Sequence, residues 1–177
     1  RKDIRIGDRV LIERSGDVIP YVAKALKEKR SKEAKKIPIP NTCPVCNKKV
    51  IINGDKKSIQ CINEDCPTKL KERIIHYVYG MKIDGLGAKT IYKFFDNDLI
   101  STIDTLYNLK EEQIQELEGF GEKSAKNIVE EIQNTLKKTS LTRFVYSLGI
   151  PLVGGTIAKV LTEHYQTLDD IMNATKD

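Results

Sequence analysis

Residues 117–128 read LEGFGEKSAKNI: two glycines two positions apart, then at once a helical stripe of Ala125, Ile128, Val129, Ile132 and Leu136. The punctuation recurs as IDGLG at 83–87 and GIPLVG at 149–154, and the final glycines Gly87, Gly121 and Gly154 stand 34 and then 33 residues apart. A second stripe, Leu70, Ile74, Ile75, Val78 and Met81, leads into the first of these turns. Two solenoid classes share that period. Neither the Trp-Leu-Gly-Tyr signature of one nor the Thr-Pro-Leu-His of the other occurs, and the glycines fall in turns between short helices, so a bundle of helical hairpins is expected. Such a turn has a chemical use, because glycine permits positive φ and removes Cβ. Backbone N–H groups opening the second helix can then hold a phosphate. In the second hairpin the candidates are Gly119, Gly121, Lys123 and Ser124; in the first they are Gly85, Gly87 and Lys89. The third carries Leu152 where the first glycine should stand, so it is expected only to complete the bundle. Plain helix-capping glycines are the simpler alternative for all three.

All four cysteines, Cys43, Cys46, Cys61 and Cys66, lie in one short stretch with the pattern C-x2-C-x14-C-x4-C. Two thiolates separated by two residues converge on one ion, and a second pair completes a tetrahedron of soft ligands suited to zinc. Four protein ligands leave no open position, so the metal is expected to be structural. Two disulfides and an iron–sulfur cluster are the alternatives. Between the pairs, Val50–Ile52 and Ser58–Gln60 are expected to form a hairpin about a turn at Asn53, Gly54 and Asp55.

Upstream, Ile4, Ile6, Val10 and Ile12 alternate with charged neighbours at the period of a strand. Two or three short strands bury no sheet face alone, so this piece is expected to belong to a larger barrel. Residues 22–36 are rich in Lys and Glu and run into IPIP, which predicts a linker or one short solvated helix followed by a stiff spacer. The whole net charge of +5 is matched between residues 21 and 40, a local excess that suits a polyanion. Lys82-Ile83-Asp84-Gly85 spells K-x-D-G, a pattern in which covalent nucleotidyltransferases place a reactive lysine, but it falls where a helix ends and a turn begins. Lys82 is not expected to be a nucleophile. No signal peptide or bilayer-length apolar run is evident, and only His76 and His164 are present for acid–base work, so catalysis is expected to reside elsewhere.

The ordered set IRIGDRVLIERSGDVIP (4–20), CPVC with CINEDCP (43–67), LKERIIHYV (70–78), MKIDGLGAKTI (81–91), LEGFGEKSAKNI (117–128) and LGIPLVGGTIAKVL (148–161) resembles the C-terminal half of bacterial NAD-dependent DNA ligases. The resemblance implies a multi-domain, mainly α chain: the end of an OB-fold with a basic linker over 1–40, a four-cysteine zinc finger over 41–67 and a helix-hairpin-helix domain over 68–177. It implies structural zinc on the four cysteines, with NAD and magnesium belonging to the parent enzyme. It further implies sequence-independent contacts to nicked duplex DNA, an adenylation domain in the same parent chain as a partner, a monomer, and a bacterial cytoplasm with its nucleoid as the location. Arg14 and the GDVIP turn would belong to the barrel face near the nick, with Tyr21 standing where a polar residue is more usual. This segment alone is expected to be inactive. A stand-alone DNA-structure-binding scaffold is the alternative; known recombination mediators place the hairpin before the zinc motif, the reverse of this order.

Overall fold

The computed structural model describes residues 2–16, 18–52, 54 and 58–175. It divides into two compact units, a strand-rich one of residues 1–43 and 48–61 and a helical one of 44–47 and 62–177.

In the strand-rich unit, β1 (Arg5–Ile6) pairs antiparallel with β4 (Lys35–Lys36), and β2 (Val10–Ser15) with β3 (Ile19–Ala25). The β2–β3 register runs from Val10 opposite Ala25 to Ser15 opposite Ile19, with an irregularity between Leu11 and Ile12. Ile6, Ile12, Val18 and Ile19 are all exposed, as expected of strands too few to bury a face.

The expected linker is folded instead. β3 continues to Ala25, a 3-10 turn spans Lys27–Lys29, and β4 returns to β1. Arg30 is the cause. Its Nε and Nη2 donate to the two Asp8 carboxylate oxygens at 2.8 Å each, and Nη1 donates to Asp3 Oδ2 at 3.0 Å. One cation that read as part of a solvated run is therefore a bidentate clamp on the strand pair. The guanidinium holds the Asp8 carboxyl below its ordinary value and brings Asp3 from 3.8 to about 2.

β5 (Val50–Ile52) and β6 (Ile59–Cys61) form the knuckle hairpin, Ile51 facing Gln60, one residue later than expected in its second strand. Asn53 and Asp55 of its expected turn lie outside the described residues, as does Asp17 of the GDVIP turn.

The helical unit runs α1 (Pro67–Met81), α2 (Ala88–Asp96), a 3-10 turn (Asp104–Asn108), α3 (Glu111–Gln115), α4 (Glu122–Lys138), α5 (Leu141–Ser147), α6 (Gly155–His164) and α7 (Leu168–Met172). Most of both predicted stripes is in the core: Ile74, Ile75, Val78 and Met81 from α1 and Ala125, Ile128 and Ile132 from α4 pack with Ile91, Phe94, Leu106 and Ile114. Leu70 is only half-buried and Leu136 is exposed. Buried Tyr77 hydrogen-bonds Tyr107 between hydroxyls at 2.6 Å. Gly80 lets α1 touch α5, where an added Cβ would stand 2.7 Å from the Ser147 Cβ. No helix among the described residues is long and apolar enough to cross a membrane.

Candidate nucleic-acid interface and metal centre

The paired glycines of each hairpin do two different things. Gly85 and Gly119 take φ of +80° and +87°, the left-handed conformation that makes the turn. Gly87 and Gly121, by contrast, are the N-caps of α2 and α4 with extended backbone, φ −77° and −109°. Any residue could adopt that conformation. Nor does packing call for glycine there, because a Cβ at Gly87, Gly121 or Gly154 would meet no protein atom within 4 Å. What the missing side chain leaves open is the approach from outside to the first N–H groups of each helix, which have no acceptor within the helix. With the partial positive charge of a helix start, such groups suit an anion.

Hairpins 1 and 2 are seated on each other. The space above Gly85 is filled by Ile128 of α4, and that above Gly119 by the Lys93 ammonium of α2. Lys93 donates to the Glu118 carbonyl and lies 5.6 Å from the centre of the Phe120 ring, while Phe94 and Phe120 rings pack at 5.4 Å. The contact is reciprocal: each hairpin sets a side chain over the left-handed glycine of the other.

Lys89 and Lys123 are exposed, each the second residue of its helix, α2 or α4. Ser124 differs from expectation in one respect: its hydroxyl donates to the Gly121 carbonyl at 2.8 Å and accepts from the Gly121 N–H at 3.0 Å. The side chain is thus engaged with the N-cap at the start of α4. The third hairpin keeps the turn geometry despite its substitution. Leu152 takes φ +68°, as the glycines do at the matching place, and its side chain is 98% exposed. Gly154 caps α6 without a side-chain hydrogen bond. Gly149, at φ +64°, rests on the His76 ring of α1, which fixes this turn to the bundle. Arg14 stands exposed on β2 opposite Pro20, and Tyr21 on β3 donates its hydroxyl to Glu13 at 2.8 Å.

The four cysteine sulfurs lie within 4.8 Å of one another. A tetrahedron of about 2.3 Å zinc–sulfur bonds places its corners about 3.8 Å apart, so this donor set fits a thiophilic dication. Local backbone builds the knuckle. Asn47 takes φ +56°, and the Cys43 N–H bonds the Lys48 carbonyl at 2.8 Å, closing the turn around Cys46. Cys66 is at once a member of the set and the N-cap of α1, with Pro67 as the first helical residue. Cys43 and Cys66 are buried; Cys46 and Cys61 are partly accessible.

Lys82 is the C-cap of α1 at φ 58°, ψ 50°, leading into hairpin 1 and not on a strand. Tyr79, Lys93 and Arg30 carry no signal in the sequence: Arg30 stands among the Lys and Glu of residues 22–36 and Lys93 between aromatic residues in IYKFFD, and only tertiary partners set them apart.

Comparison with known proteins covers the whole chain. Residues 1–34 match the NAD-dependent DNA ligase OB-fold domain, 81–134 the SAM-like helix-hairpin-helix tandem, and 143–177 the helix-hairpin-helix motif. A DNA ligase of Salinibacter ruber is 44% identical over 180 residues, covering 100% of this chain and 26% of that protein. DNA ligases of Bacillus mycoides and Bacillus cereus are 42% and 41% identical over 178 residues, each covering 99% of this chain. The chain thus spans about a quarter of the length of the curated relatives it matches, in their C-terminal region.

Proposed function

Because this chain belongs to the NAD-dependent DNA ligase family, we propose that it is the part of such an enzyme that holds a nicked duplex while the break is sealed. One observation carries the reading: helix-starting glycines required neither by backbone conformation nor by packing, each opening a row of N–H groups to an outside anion. The outward amides at Gly87 and Gly121, with Lys89 and Lys123, take up phosphates. Gly85 and Gly119 shape the turns that aim them, and Ser124 holds the second helix start in place. Phosphates carry no base identity, so binding is independent of sequence and weakens with salt.

In this reading residues 1–40 are OB-fold segment and basic face, with Arg14 toward the nick, 41–67 a zinc knuckle, and 68–177 the duplex-holding domain. Zinc is structural. Cys43, Cys46, Cys61 and Cys66 would hold it, the dication offsetting the repulsion among four converging thiolates and tying the start of α1 to the knuckle through Cys66. NAD and magnesium serve the adenylation domain of the parent chain, where AMP is passed to the 5′-phosphate before the 3′-hydroxyl attacks. The chain acts as a monomer in a bacterial cytoplasm, at the nucleoid, and does not ligate alone. A stand-alone scaffold is not favoured, since the similarity to DNA ligases runs the length of the chain.

The test is equilibrium binding of the zinc-loaded chain to a nicked duplex, with the double variant Gly87→Ser, Gly121→Ser beside it. Serine is a good N-cap, so the variant should fold, while its side chains cover the open amides. Affinity is expected to fall about tenfold or more; equal affinity for wild type and variant would refute the phosphate-cradle reading.

A further inference from the structure

Hairpin 1 carries more than its glycines. A pocket of about 470 Å³ opens beside it, walled by Tyr79, Lys82, Asp84 and the turn from Gly85 to Gly87. The last turns of α1 bury Tyr77, Val78, Gly80 and Met81, yet Tyr79 among them is 64% exposed, so the core makes no use of its ring. Lys82 stands in the left-handed position at the helix end, where glycine or asparagine is usual and a lysine is strained. Two backbone bonds close the turn, Lys82 N–H to the Tyr79 carbonyl at 3.1 Å and Ile83 N–H to the Val78 carbonyl at 3.0 Å, but they would serve a glycine equally and give no reason for a lysine. Lys82 is exposed, and among the described residues neither its ammonium, the Tyr79 hydroxyl nor the Asp84 carboxylate has a hydrogen-bond or ion-pair partner. A free cation, a free aromatic face and a backbone turn thus share one open pocket, with Gly87, the N-cap of α2, at its end. A carboxylate on the same wall keeps an anion away from Asp84 and toward Lys82.

We propose that Tyr79 and Lys82 are DNA-binding residues flanking hairpin 1. Lys82 neutralises a phosphate neighbouring the one held at the α2 amides, and the Tyr79 ring lies against the deoxyribose between the two. The proposal rests on the duplex-holding function above, and it places the strained lysine in binding, not in covalent nucleotide chemistry.

The zinc-loaded chain and its Lys82→Gly and Tyr79→Ala variants are titrated with one fluorescent nicked duplex across a series of salt concentrations, and each is melted thermally. Lys82→Gly relieves the left-handed backbone, so its melting temperature should rise by about 2–4 °C. Its affinity should nevertheless fall, and the slope of log K against log salt should become shallower by about 0.9, one phosphate contact. Tyr79→Ala should weaken binding by about fivefold or more with the slope unchanged. A purely structural role for Lys82 predicts higher stability with affinity and slope intact; that result, or a Tyr79→Ala variant binding like wild type, overturns the proposal. A wild-type chain that binds no duplex would overturn the underlying function as well, so the two failures are distinguishable.

Discussion

Two glycines in the helical unit look alike in sequence and differ in what replaces them. At Gly80 an added Cβ would stand 2.7 Å and 2.8 Å from the Ser147 Cβ and Cα, and the backbone atom cannot swing aside. Gly80→Ala should therefore destabilise the chain by about 1–3 kcal/mol, read as a lower denaturant midpoint. At Gly121 the space is empty and the backbone extended, so Gly121→Ser should leave stability within about 0.5 kcal/mol while weakening duplex binding. Equal loss of stability at both positions would show that Gly121 is a packing residue. The LEGFG and IDGLG motifs revealed the turns, but not that their two glycines divide the work between a left-handed bend and an open helix start. The sign of φ at each glycine is invisible in composition. Leu152 shows the converse: read as a lost glycine, it keeps the turn at φ +68°.

Among elements, the strand-rich unit was the least legible. Residues 22–36 have the composition of a solvated segment, and beside the pairing of β3 with β2 and of β4 with β1 they are held by a long-range clamp, Arg30 on Asp3 and Asp8, whose partners lie 27 and 22 positions away. No local pattern encodes that. The clamp has a pH signature. A carboxylate with a depressed folded pKa stabilises the fold fully above its unfolded value, here near 3.8, and the contribution fades as pH falls through about 2. Amide protection of β1 and β4 should decline across that interval, and Asp3→Asn should reduce it already at neutral pH; protection unaltered by acid would mean the clamp holds nothing. The convergence of the four cysteines was legible in the C-x2-C-x14-C-x4-C spacing, whereas the second hairpin strand lies one residue later than the pattern suggests. Cys43→Ser should lower bound zinc measured by atomic absorption and loosen β5–β6 in hydrogen exchange, while the helical circular dichroism of α1 to α7 largely persists. Zinc content equal to wild type would exclude Cys43 as a ligand.

For the whole molecule, the proposed function rests on repetition of one device. Hairpins 1 and 2 pack on each other through Ile128 over Gly85 and Lys93 over Gly119, which brings their helix starts into one helical unit. The repeat and both helical stripes were legible because burial imposes a 3.6-residue period; Lys93 and Tyr79 were not, because their roles depend on what folds beside them. The most direct test of the central claim is the affinity of the zinc-loaded chain for two nicked duplexes of unrelated sequence, measured across a range of salt. Phosphate recognition predicts the same steep line for both sequences, made shallower by about 0.9 in Lys123→Ala. Affinity that differs between the sequences, or that ignores salt, would contradict it.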